Sequence, residues 1–70
     1  MIEKNQVLKH KHTERYIQIV AVEKIRHLET GKEEMFCSFY WLGYNLIGSD
    51  LLTCIERDYM YYGLSNTKVN

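Results

Sequence analysis

Two histidines stand two apart in "LKHKHTERY", residues 8–16 of this 70-residue chain. Side chains two apart share one face of a strand, about 6–7 Å from each other. Zinc accepts that geometry, and Cys37 and Cys54 are the two thiols that would complete a set of four ligands. The chain has no Cys-x-x-Cys or His-x-x-x-His pair, however, and such local pairing is what makes a zinc motif specific. We therefore expect no metal and no other cofactor. A thiol with a histidine is also the start of a nucleophilic dyad. Neither cysteine lies in a glycine-rich or helix-start setting that would lower its pKa. Carboxylates come in pairs, Glu33 with Glu34 and Glu56 with Asp58, but the first pair belongs to a hairpin tip. A chain this short has little room for a concave site of a few hundred Å³, and no glycine loop is present to cradle phosphate. The expectation is a protein that is not an enzyme.

Binding chemistry is better represented. Lys9, Lys11 and Arg15, with His10 and His12 between them, are placed to contact phosphates. Tyr16, Phe39, Tyr40 and Trp41 are of the type that stacks nucleic-acid bases on a sheet. A small domain needs those aromatics for its core, and exposed strands carry lysine for solubility. The basic excess is also local: residues 1–32 hold seven Lys/Arg against four Glu, residues 33–70 hold two against five Asp/Glu, and the whole chain is neutral. A dedicated DNA binder carries a stronger excess, so nucleic acid is the alternative reading. The preferred one rests on Tyr44, Tyr59, Tyr61 and Tyr62, which with Met60 exceed what one small core hides. Tyrosine is enriched where one end of a side chain is apolar and the other wet, as at protein interfaces. Glu56 and Asp58 would form an acidic rim that selects a basic partner, or the positive half of a second copy. The expected role is a small protein-interaction module that binds another protein, with self-association as a further outcome.

These residues need a scaffold. Apolar residues make up 46% of the chain, too many for a disordered protein, and we expect one domain over 1–70 with a frayed polar tail at 65–70. No run approaches the roughly 18 apolar residues of a membrane span. The start, "MIEKNQV", lacks the layout of a secretory signal. Two cysteines do not make a disulfide framework, so a cytoplasmic setting is expected.

The clearest element is "RYIQIVAVEKI", 15–25. Its β-branched residues are apolar on both alternating faces, Ile17, Ile19, Ala21 and Ile25 on one and Tyr16, Val20 and Val22 on the other. A turn at Thr30-Gly31 leads into "MFCSFYWL", 35–42. With Glu29 opposite Lys32, this hairpin pairs Ile25 with Phe36, Val22 with Phe39 and Val20 with Trp41, and His27 faces Glu34. "QVLKHKH", 6–12, reads as a charged edge strand. The last third supports two readings. Ser49 as N-cap, Leu51, Leu52, Ile55, Tyr59 and Tyr62 on one face, and Gly63 beyond the end describe a helix. Thr53, Cys54, Ile55 and the tyrosines are also strand formers, so the alternative to the helix is that "DLLTCIE" and "YMYYGL" form two short strands closing a barrel. The fold class is α+β, mainly β: a small twisted antiparallel sheet of three strands plus a C-terminal helix over 50–62, with an all-β barrel as the alternative.

The run Val7-Leu8-Lys9-His10-Lys11-His12-Thr13, then Tyr16 and an apolar strand, then "LETGKEE", resembles a family of uncharacterised small bacterial and phage proteins. Their chains open with Lys-His-Lys-x-Thr-Gly, a Tyr-containing strand, and an acidic, Thr-containing turn. The overlap covers residues 7–41. Glu14 stands where that family has its glycine, and the family's closing Trp-x-Arg-Pro has no counterpart here. The resemblance implies a small, strongly curved sheet of SH3-like character and a phage or mobile-element background, in which a regulator or inhibitor of a host protein fits. It implies no activity, so no site residue transfers from it.

Overall fold

A computed structural model describes residues 2–64; the tail 65–70 lies outside the described residues. The chain runs β1 (Gln6–His10), β2 (Tyr16–Arg26), β3 (Glu33–Trp41), β4 (Leu46–Leu51), α1 (Leu52–Asp58) and β5 (Tyr59–Leu64). The fold is mainly β, an antiparallel five-stranded open sheet in the order β4-β3-β2-β1-β5 with one short helix. The expected three strands and long C-terminal helix are corrected to five strands and a helix of seven residues that precedes the last strand. Ser49 is no N-cap: it lies in β4 opposite Ser38. The helix starts after an extended Leu51 without a side-chain cap and stops at an extended Tyr59. Gly63 lies within β5, opposite Val7. "YMYYGL" is a strand because β1 offers it a full ladder of backbone partners, and that pairing outweighs the helical spacing of its tyrosines.

The β2–β3 hairpin forms as expected, but with another register. Its loop is Leu28–Gly31, closed by the His27 N–H donating to the Lys32 carbonyl (2.8 Å) and the Gly31 N–H to the His27 carbonyl (2.7 Å). Gly31 takes the positive φ of 74° that the turn requires. Ile25 therefore lies opposite Glu34, and Phe36 opposite Glu23. Val22 meets Cys37 in that same register, and a bulge between Ile19 and Ala21 then shifts the pairing by one, so Trp41 meets Ile17. One extra residue in a strand reverses which side chains face inward. Ile17 and Ile19 are fully buried, and beyond the bulge it is Val22, not Ala21 or Ile25, that packs on the core. His27 and Glu34 still meet, with Nε2 and Oε1 3.1 Å apart.

Strand β1 is not an edge, because β5 covers its outer side. It also ends at His10, so His12 stands in the turn that follows. The core consists of Leu8, Ile17, Ile19, Cys37, Phe39 and Ile55, with Ile55 contributed by α1. Burying each of these aliphatic or aromatic side chains contributes about 1.5–3 kcal/mol. The free edges of the described sheet are β4 and β5.

Candidate functional site

Strand β5 brings most of the tyrosine-rich segment to the sheet edge. It pairs with β1 through Leu8–Tyr61, Lys9–Met60 and His10–Tyr59, with a register shift between Val7 and Leu8. Alternation along a strand sends successive side chains to opposite faces. Tyr59 is half-buried against the core, its ring edge-on to His10 at 5.0 Å. Burial pushes its hydroxyl pKa up, and Arg15 opposes this. Tyr61 and Tyr59 line a depression of about 250 Å³ together with Ile2, Gln6, Leu8 and Glu56. On the other face Tyr62 meets Tyr16 edge-on, 4.9 Å between ring centres. Burial, then Tyr62, raises the Tyr16 pKa. Met60, Tyr61, Tyr62 and Leu64 are each between 51% and 65% exposed, so the edge strand presents apolar surface on both faces.

Helix α1 supplies the acids, and the two differ. Asp58 accepts both Nε (2.8 Å) and a terminal nitrogen (2.9 Å) of Arg57. That bidentate bond holds its carboxyl below the ordinary range. Glu56 is exposed and enters none of the ion pairs among the described residues. Its charge is felt inside the fold, where after burial it is the second cause raising the Cys37 thiol pKa.

The six expected partner-binding residues therefore divide. Glu56, Tyr59 and Tyr61 share one depression; Asp58 is adjacent but satisfied by Arg57; Tyr62 faces the other side of the sheet. Tyr44 lines a separate cleft, in the turn between β3 and β4, with Arg15, Trp41 and Leu46 and a volume of about 350 Å³. The Arg15 guanidinium lies 5.7 Å from the Trp41 ring centre, a cation–π distance. Ile2, Gln6 and Leu8, which complete the first depression, are not among the site residues expected from the sequence; Gln6 and Leu8 are legible there only as part of a strand, and nothing in the sequence marks Ile2.

The basic stretch is largely committed to its own turn. Lys9 Nζ donates to the Thr13 carbonyl at 3.0 Å and the His10 carbonyl at 3.4 Å. The His12 N–H donates to His10 Nδ1 at 3.1 Å, so that nitrogen already has a proton donor. Lys11 stays exposed. Among the described residues no group of three or more His, Cys, Asp or Glu is placed to hold a metal. Nor, among the described residues, is any helix long and apolar enough to cross a membrane. Compared with known proteins, the chain matches no family model, no curated protein and no solved structure.

Proposed function

We propose that this chain is a non-enzymatic protein-interaction module whose partner docks on β5. The observation that carries the reading is the free β5 edge bearing four apolar side chains that are each more than half exposed. An open edge offers main-chain hydrogen bonds, and flanking pockets offer side-chain selectivity. The strand order, with a short helix before the last strand, supports an SH3-like curved sheet. The size and the resemblance support a phage or mobile-element regulator acting on a host protein in the cytoplasm. Tyr61 and Tyr62 are the main anchors, with Met60 and Leu64 beside them. The test is capture of partners by the wild-type chain, by Tyr61→Ala/Tyr62→Ala and by Tyr44→Ala, after nuclease treatment. Partners held by the wild type and by Tyr44→Ala but lost from the double variant are the expected result, with circular dichroism unchanged. A double variant that keeps every partner overturns the reading. Sedimentation equilibrium of the same proteins reports self-association through the same edge.

The Arg15–Trp41–Tyr44 cleft favours a second reading, nucleic-acid binding, with Lys11 and Arg15 at phosphates and Tyr44 against a base. Lys9 contributes little, being held by the turn carbonyls. A labelled single-stranded oligonucleotide would then be retained at low salt and released steeply as salt rises; no binding at low salt removes this reading.

A further inference from the structure

The depression beside β5 joins a largely apolar lining to an acid that enters no ion pair among the described residues. Ile2, Leu8 and the two tyrosines Tyr59 and Tyr61 line it, with Gln6 beside them and Glu56 at its wall. Aromatic faces attract cations. A carboxylate that enters no ion pair among the described residues attracts a cation brought to it. A lysine or arginine fits both features, its methylene stem along the apolar lining and its charge at Glu56. We propose that this depression receives a lysine or arginine side chain from an extended segment of a partner protein, laid along β5.

The proposal rests on β5 being the docking edge and adds the chemistry of what docks there. A second copy of this chain does not supply the cation by edge pairing. The two free edges read "LIGSDL" in β4 and "YMYYGL" in β5, neither with a lysine or arginine. Pairing β5 with another copy's β4 would instead bring Asp50 as the charged residue. The alternation of a strand sets the rest of the motif: the cation and the residues two on either side face the depression, and those between face Met60 and Tyr62. Asp58 plays no part, because Arg57 already neutralises it.

The test uses the full chain, labelled with nitrogen-15, and two capped peptides, Thr-Val-Thr-Lys-Thr-Val-Thr and the same sequence with norleucine for lysine. Amide shifts are expected along β5 and at Leu8 and Glu56. The lysine peptide should bind about fivefold more tightly than the neutral one, a preference that added salt reduces. Glu56→Gln should remove the preference with the spectrum otherwise native, and Asp58→Asn should keep it. Equal binding of both peptides at β5 overturns the cation site while leaving the docking edge intact. A preference that survives Glu56→Gln, shifts that map to the Arg15–Trp41 cleft, or no shifts with either peptide also overturn the proposal. Failure of β5 as an edge is read separately, from the Tyr61→Ala/Tyr62→Ala captures.

Discussion

Cys37 lies within β3, fully buried, and its thiol is pushed up first by burial and then by the Glu56 charge. Reactivity follows the thiolate, so both effects protect it. Cys54, on α1, is only half-buried. Iodoacetamide at pH 8 should therefore label Cys54 in the native chain and reach Cys37 only after unfolding, as peptide mass spectrometry would read; equal native labelling would contradict the packing of β3. The same contrast between neighbours separates Glu56 from Asp58. The two acids are two apart on a short helix, yet one is bonded by Arg57 and the other faces a depression. Charge alone did not distinguish them in the sequence, because the distinction is one of side-chain geometry.

At the scale of elements, the β3–β4 hairpin depends on three backbone positions. Gly43 and Asn45 take φ of 92° and 56° in the turn, values most side chains resist. Gly48 sits under two aromatics: a Cβ there would lie 2.9 Å from Trp41 Nε1 and 3.0 Å from Phe39 Cε1. Phe39 and Trp41 hold each other edge-on at 5.4 Å, which leaves them little freedom to yield. Gly48→Ala should cost about 1–3 kcal/mol through overpacking, measured by urea unfolding followed through Trp41 fluorescence. Asn45→Gly should be tolerated, whereas Asn45→Val should cost about 1–2 kcal/mol because a branched residue resists positive φ. An unaltered midpoint in Gly48→Ala would mean that β4 does not pack beneath the Phe39–Trp41 pair. This hairpin is legible in "FYWLGYNLIG", where glycine and asparagine interrupt two apolar runs, but the helical spacing of Leu51, Leu52 and Ile55 competes with it. The β2–β3 hairpin was read from its β-branched pattern and from Gly31. Its register was not, because neither the length of the Leu28–Gly31 loop nor the bulge between Ile19 and Ala21 leaves a mark in residue type. Nor does "LKHKH" announce that β5 will cover it; its partner is some fifty residues away, and such pairing is decided by the whole fold. For the site, tyrosine content pointed to β5 and Glu56, while the division of the six residues between two faces and two clefts needed the register of β1 with β5.

Across the described residues, the thiol and phenol groups whose pKa values rise on folding fall on three different strands: Tyr16 in β2, Cys37 in β3 and Tyr59 in β5. Burial leads in each. All three are neutral when protonated, so a raised folded value means that the fold favours the protonated form. The resulting stability is whole below the unfolded values and is lost as pH rises through them toward the folded ones. Thiols ordinarily ionise near pH 8.5 and tyrosines near 10, which sets the window. On the acid side the shifted group is Asp58, lowered chiefly by the Arg57 hydrogen bond; its contribution is present above the ordinary carboxylate range and is lost as pH falls through the folded value. That pair is exposed and contributes little. The midpoint of urea unfolding should therefore change little between pH 6 and 8 and fall from about pH 8.5 upward. Tyr59→Phe combined with Cys37→Ala should lower the midpoint at pH 7, because packing is lost, yet flatten its alkaline fall. A double variant whose midpoint falls as steeply as the wild type's would place the alkaline weakness outside the core and the base of β5.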